Sequence, residues 1–180
     1  MPFAAFGERA RLCECSCIIA DPGAASQAVH CDTAADAEVS ADLEATPEAA
    51  ASASSKSLLT AFVALQDIDA SMGPTCVWPG THLPAFHDAV CESGPRVIAA
   101  RPSVAMTLRA GECALMDSRL WHCGTANTSA VRRCLLVITF GLAGALPEGS
   151  TYSLLPKLEG RCTLKSLRDG MTTGAARQAV

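Results

Sequence analysis

Tyrosine occurs once in this chain of 180 residues, tryptophan twice, phenylalanine five times and histidine four times. Aromatics make up 4% of the sequence, too few for a platform on which single-stranded nucleic acid could stack. Positive charge is also short: 14 Lys and Arg stand against 18 Asp and Glu, a formal net charge of −4. That balance offers no basic footprint for a phosphate backbone, so no nucleic-acid partner is expected. Long apolar runs are missing too. The longest, "CLLVITFGLAGAL" (134–146), is too short to cross a bilayer, and no membrane partner is expected. The N-terminus puts Arg9 and Arg11 before a short apolar patch, but Glu8 and Glu14 break the pattern of a secretory signal. The chain is read as cytoplasmic on that ground. Its ten cysteines are accordingly read as reduced, small and mostly buried. Cys13, Cys15 and Cys17 alternate as along one face of a strand, which is not the C-x-x-C spacing of zinc or redox sites.

What is present fits one domain with a real core. Residues 11–19 read as a strand, and "DPGAAS" (21–26) as a turn. Residues 33–56 are a low-complexity insertion of Ala, Ser and acids, with too few large apolar residues to pack a core. "SLLTAFVALQDI" (57–68) is a β-type run, and residues 69–86 hold Gly-Pro and Pro-Gly turns. Residues 96–124 read as several short strands, with "RAGE" (109–112) as a tight hairpin connection. "VRRCLLVITFGLA" (131–143) is a strand apolar enough to be buried on both faces. Short strands with Gly/Pro turns and few helices argue an all-β core, with a jelly roll as the natural candidate. The expected division is a domain over 1–143 and a partly ordered C-terminal extension over 144–180.

The stretch "SQAVHCDTAAD" (26–36) places His30 and Asp32 two apart. Along a strand, such residues point the same way. His122, in "DSRLWHCGTANTSAVRR", lies just before the last apolar strand and is a candidate third ligand. Two His and one carboxylate on one side of a metal leave open positions, the arrangement suited to non-haem Fe(II) oxygenases. The open positions would take O₂ and a chelating 2-oxo acid, whose far carboxylate needs a cation. Arg132 and Arg133 begin the following strand, and alternation turns one of them inward. His82 and His87 lie near the Pro-Gly turn and are read as core or supporting residues. Trp121, beside His122, should face away from a metal and pack.

Three segments resemble the phytanoyl-CoA dioxygenase family of Fe(II)/2-oxoglutarate oxygenases. "QAVHCD" resembles its Q-x-x-H-x-D, "DIDASMGPTCVWPGTH" its NGPL…PGSH segment, and "LMDSRLWHCGTANTSAVRR" its distal-histidine block. The resemblance implies a double-stranded β-helix of cupin-like form, with a truncated N-terminal region because only 29 residues precede His30. It implies His30, Asp32 and His122 as iron ligands, and Arg133 rather than Arg132 as the anchor of 2-oxoglutarate. It also implies Gln27 near the co-substrate, and Asp117 and Asn127 as residues that orient the distal-histidine loop. Gly124 stands where some members carry a hydroxyl that helps hold the far carboxylate, with Thr125 as a possible substitute. The implied reaction uses Fe(II), 2-oxoglutarate and O₂, and hydroxylates a small organic substrate with release of succinate and CO₂. Asp32 speaks against the halogenating variant, which needs a small residue there. The rival readings are a non-catalytic remnant of the same fold and a cupin-like metal-binding protein of another class.

Overall fold

The computed structural model describes residues 8, 10–34, 58–141, 147, 150, 153–159 and 161–177. Most of the 33–56 insertion therefore lies outside the described residues. Among the described residues, seven strands form two sheets. They are β1 (Arg11–Ala20), β2 (Leu58–Ala64), β3 (Thr75–Val77), β4 (Val104–Ala105), β5 (Cys113–Asp117), β6 (His122–Gly124) and β7 (Arg133–Gly141). The larger sheet has the order β1-β7-β2-β5 and the smaller β4-β3-β6, with every pairing antiparallel. The core lies between them. Phe62, Ala64, Leu135 and Val137 of the large sheet pack with Met116 and with Val77 of the small one. Ile68 and Met72, from the link between the sheets, complete the cluster.

Alternation decides which side chains enter this core. In β7, Arg133, Leu135, Val137 and Thr139 are buried, while Cys134, Leu136 and Ile138 are half-buried. The strand is thus buried fully on one face and only partly on the other, which corrects the two-faced burial expected from its apolar run. Composition alone could not separate these cases, because both faces of β7 are apolar.

β1 carries an irregularity that the sequence does not announce. Leu12 pairs with Phe140 and Glu14 with Thr139, so Cys13 is an extra residue with no partner across the ladder. Beyond this bulge, Glu14, Ser16 and Ile18 stand opposite Thr139, Val137 and Leu135, on the inward face. Cys15 and Cys17 point outward and are exposed, as are Cys91 and Cys113. Only Cys13 and Cys123 are buried, so the cysteines are free but not mostly buried as expected. The C-terminal extension flanks the outer edge of β1. Leu12 N donates to Cys162 O at 2.8 Å and Leu164 N to Ala10 O at 2.9 Å.

Helices are few but more numerous than the turns suggested. α1 (Pro84–Ser93) starts with Pro84 in its first turn and stops at Gly94, whose φ of 78° suits glycine. α2 (Arg96–Ala99) occupies sequence that was read as strand, and α3 (Leu164–Arg177) lies in the extension. The "RAGE" turn is tight, with Gly111 at φ 83° and Glu112 N donating to Arg109 O. Its flanks do not pair with each other, however. Leu108 bridges to Ile68 and β5 pairs with β2. Among the described residues, no helix is long and apolar enough to cross a membrane.

Candidate metal centre and co-substrate cleft

The segment after the "DPGAAS" turn returns along β6. Gln27 N donates to Gly124 O at 2.9 Å, and His30 and His122 form an isolated antiparallel bridge. This bridge sets the two imidazoles side by side, with ring centroids 4.4 Å apart. Asp32 is held by a different strap: its N–H and that of Thr33 both donate to Ser118 O. The Ser118 and Thr33 hydroxyls meet at 2.7 Å, and Leu58 N donates to Ser118 Oγ.

The three side chains converge. Asp32 Oδ1 lies 3.7 Å from His30 Nε2 and 3.7 Å from His122 Nε2. One ligand atom from each residue falls within 4.8 Å of the others. The remaining ring nitrogens are already engaged: His30 Nδ1 is 2.8 Å from Ala28 O, and His122 Nδ1 is 2.8 Å from Leu120 O. A carbonyl can only accept, so each Nδ1 carries the proton and each Nε2 presents a lone pair. Two neutral Nε2 donors and one carboxylate oxygen around one point are a donor set for a divalent metal, and backbone carbonyls orient both rings as metal-binding histidines require. Cys31 and Cys123 adjoin these residues, but burial pushes both thiols up, away from the thiolate that binds metal.

These residues line a cleft of about 290 Å³ between the sheets, which also receives Gln27, Gly124, Thr75, Phe62 and Arg133. Arg133 faces inward and is 4% exposed, whereas Arg132 faces out and pairs with Asp21. Arg133 donates through Nη1 to Gly73 O, and its buried Nε has no partner. Among the described residues it meets no carboxylate, and burial pulls its pKa down. A buried guanidinium with an open donor is costly unless an anion joins it. Gln27 Oε1 accepts from Gly124 N at 2.7 Å, and a Cβ on Gly124 would lie 2.9 Å from that oxygen. The glycine is thus the space into which Gln27 folds. Thr125 does not replace the missing hydroxyl, because its Oγ1 donates to Pro74 O.

The supporting residues divide the work. Asp117 accepts from the backbone N, Nε and Nη2 of Arg119, which pins the turn leading to His122. Burial alone would raise the Asp117 carboxyl, but the Arg119 hydrogen bonds and charge outweigh it and hold it below its ordinary value. Asn127, 1% exposed, donates to Ala20 O and Val131 O and so fixes the loop between β6 and β7. His87 is buried, with Nε2 2.9 Å from Arg119 O, and its ring packs near Trp121. Neither His82 nor His87 joins the cluster of ligand atoms. The sequence reading missed Glu14, Thr60 and Thr139, which line the other part of the cleft. Thr60 and Thr139 carry an inward alternation signal, but Glu14 is turned inward only by the unpredictable bulge.

A family model described as phytanoyl-CoA dioxygenase (PhyH) matches residues 7–134. The chain belongs to this family. Members of the family use Fe(II), 2-oxoglutarate and O₂. Solved structures agree in fold. The non-heme alpha ketoglutarate dependent carbocyclase SnoK from nogalamycin biosynthesis is 25% identical with a TM-score of 0.55, over 74% of this chain and 50% of that one. AviO1 from Streptomyces viridochromogenes Tue57 is 21% identical with a TM-score of 0.57, over 77% and 53%. The epimerase SnoN, solved with Fe3+, alpha ketoglutarate and nogalamycin RO, is 20% identical with a TM-score of 0.53, over 81% and 62%. The chain thus spans about half the length of the first two of these solved structures.

Proposed function

We propose that this chain is an Fe(II)/2-oxoglutarate-dependent oxygenase that hydroxylates a small organic substrate, with release of succinate and CO₂. The observation that carries the reading is the convergence of His30 Nε2, His122 Nε2 and Asp32 Oδ1 in the same cleft as a buried Arg133 that meets no carboxylate among the described residues. His30, Asp32 and His122 would hold the iron, and Arg133 would pair with the far carboxylate of 2-oxoglutarate. Gln27 lines the cleft with its carbonyl engaged by Gly124, so its amide N–H groups are free to donate to the same co-substrate. When bound, iron and 2-oxoglutarate supply the oxidising power that activates O₂ toward a C–H bond.

The protein's own residues do the rest. The carbonyls of Ala28 and Leu120 hold the tautomer that leaves both Nε2 atoms unprotonated. Ser118 fixes the backbone of Asp32 and brings its carboxylate to the histidines. Arg133 fixes the direction in which a dicarboxylic co-substrate lies. Phe62 and Val137 supply apolar walls that limit water around it. The domain over 1–143 carries all of these residues, and 144–180 is an extension of it.

The test is anaerobic titration of Fe(II) and 2-oxoglutarate into the purified protein, followed by the visible charge-transfer band of the chelate. A band that vanishes in His30→Ala and His122→Ala and weakens in Arg133→Ala is expected. Metal binding with no response to 2-oxoglutarate would point instead to a cupin-like metal protein, and no metal binding by folded protein to a remnant.

A further inference from the structure

The cleft continues past the ligand cluster to a second polar group. Glu14 Oε2 accepts from Thr139 Oγ1 at 2.9 Å, and Oε1 accepts from Ser16 Oγ at 2.7 Å. Thr60 Oγ1 lies 3.0 Å from Thr139 Oγ1. Thr139 has one hydroxyl proton and gives it to Glu14, so Thr60 must donate to Thr139. Three hydroxyls from three strands are thus aligned toward one carboxylate. Among the described residues, Glu14 has no cationic partner. Arg11, three positions earlier on the same strand, forms no ion pair with it, and Arg133 is hydrogen-bonded to Gly73 instead. An acidic side chain on the surface needs no explanation, but this one is half-buried and lines the cleft.

Charge accounting says what it lacks. In a loaded site, the three positive charges of a divalent metal and Arg133 would be matched by the three negative charges of Asp32 and the two carboxylates of 2-oxoglutarate. Glu14 is left over, with no counter-charge. A carboxylate held at the wall of a low-dielectric cleft attracts a cation, and prefers it to a neutral donor of the same size. Each oxygen already accepts one hydroxyl and has a second lone pair to offer. Elsewhere in the same cleft, Ile18 and Leu58 add apolar surface. An organic ammonium fits both features, with its charge on Glu14 and its carbon skeleton on the aliphatic wall.

We propose that the Glu14–Thr139 corner of the cleft is the subsite for a protonated amine on the substrate. This rests on the oxygenase reading, and it narrows the substrate to amine-bearing organic molecules. Glu14 is a positioning residue: it would hold the ammonium while another part of the molecule faces the metal.

The test uses three probes that share one ring and differ in head group: benzylamine, benzyl alcohol and benzoate. Each is titrated by calorimetry, at millimolar concentration, into full-length protein loaded anaerobically with Fe(II) and 2-oxoglutarate. Benzylamine is expected to bind more tightly than the other two. Glu14→Gln should weaken benzylamine by about tenfold, the size of one charge-assisted contact, and leave benzyl alcohol nearly unchanged. Thr139→Val keeps the charge but frees the carboxylate from its seat, so a smaller loss is expected, which guards against a folding defect in Glu14→Gln. No benzylamine binding, no preference over benzyl alcohol, or a preference that persists in Glu14→Gln overturns the subsite. The chelate band formed before any probe is added reports the oxygenase reading separately. The same titrations on unloaded protein read Glu14 even where that band is missing.

Discussion

His30 and His122 exchange a pair of backbone hydrogen bonds, N to O at 2.9 Å in one direction and 2.8 Å in the other. Ninety-odd residues of sequence therefore collapse to one bridge, and the spacing of the two imidazoles is fixed by main chain rather than by side-chain packing. Their replacement should then spare the fold. His30→Ala and His122→Ala are expected to melt close to the parent protein while losing Fe(II) affinity by more than about a hundredfold, above the roughly 10–100-fold cost of losing an outer hydrogen-bond partner. Metal retained after gel filtration, read beside a circular-dichroism melt, checks this. Unchanged retention would remove these histidines from the site.

Arg133 should oppose stability and serve binding. It is a buried cation with no carboxylate partner among the described residues, so Arg133→Met is expected to raise the unfolding free energy by roughly 1 kcal/mol while abolishing the response to 2-oxoglutarate. Arg133→Lys keeps the charge but loses the planar fork, and should bind 2-oxoglutarate weakly. Adding 2-oxoglutarate to the parent protein should raise its melting temperature, and adding it to Arg133→Met should not. A destabilised Arg133→Met would show that the guanidinium is a structural member of the core.

Among the described glycines, Gly73 leaves the least room for a side chain. Its φ is 70°, and a Cβ there would fall on the carbonyl oxygen of Thr125 and within 2.9 Å of Asn127 N. Its own carbonyl accepts from Arg133. Gly73→Ala should cost about 2 kcal/mol or more, since backbone cannot move aside as a side chain would. It should also weaken 2-oxoglutarate binding through Arg133. Urea denaturation and the chelate titration measure the two effects, and a change in neither would be incompatible with this packing.

Asp117 gives a pH signature. Its carboxyl is held below the ordinary value of 3.8 by Arg119, against the opposing effect of burial. A depressed folded pKa means that its stabilisation is complete above the ordinary value and is lost as pH falls through the lower one. Asp117→Asn is expected to be less stable than the parent by about 1 kcal/mol at neutral pH, and the gap should close below pH 3.8. Urea midpoints taken along a pH series test the sign. A gap that widens in acid would refute it.

Much of this was legible in the sequence, for identifiable reasons. His30 and Asp32 stand two apart, so an extended chain presents both on one side. Alternation along β7 says that one of Arg132 and Arg133 turns inward, but both phases of the strand are apolar, so the choice of Arg133 came from the family resemblance alone. α1 was readable from Pro84 and Gly94 but was obscured by the turn-rich sequence before it. The bulge at Cys13 was not readable. A one-residue insertion into a ladder depends on the partner strand, and nothing in "RLCECSC" distinguishes a regular strand from a slipped one. Everything that follows from the bulge, including the inward turn of Glu14 and the exposure of Cys15 and Cys17, was hidden with it.

That single unpaired residue works like a switch between two different linings. With Cys13 present as the extra residue, the cleft sees a carboxylate and an isoleucine from β1. Were Cys13 taken into a regular ladder opposite Thr139, Glu14 would stand opposite Ile138 and the two faces of β1 downstream of it would exchange. Two thiols would then look toward the metal, and the acid would look toward water. The chemistry offered to a ligand at this wall is therefore written in the register of the strand as much as in the identity of its residues.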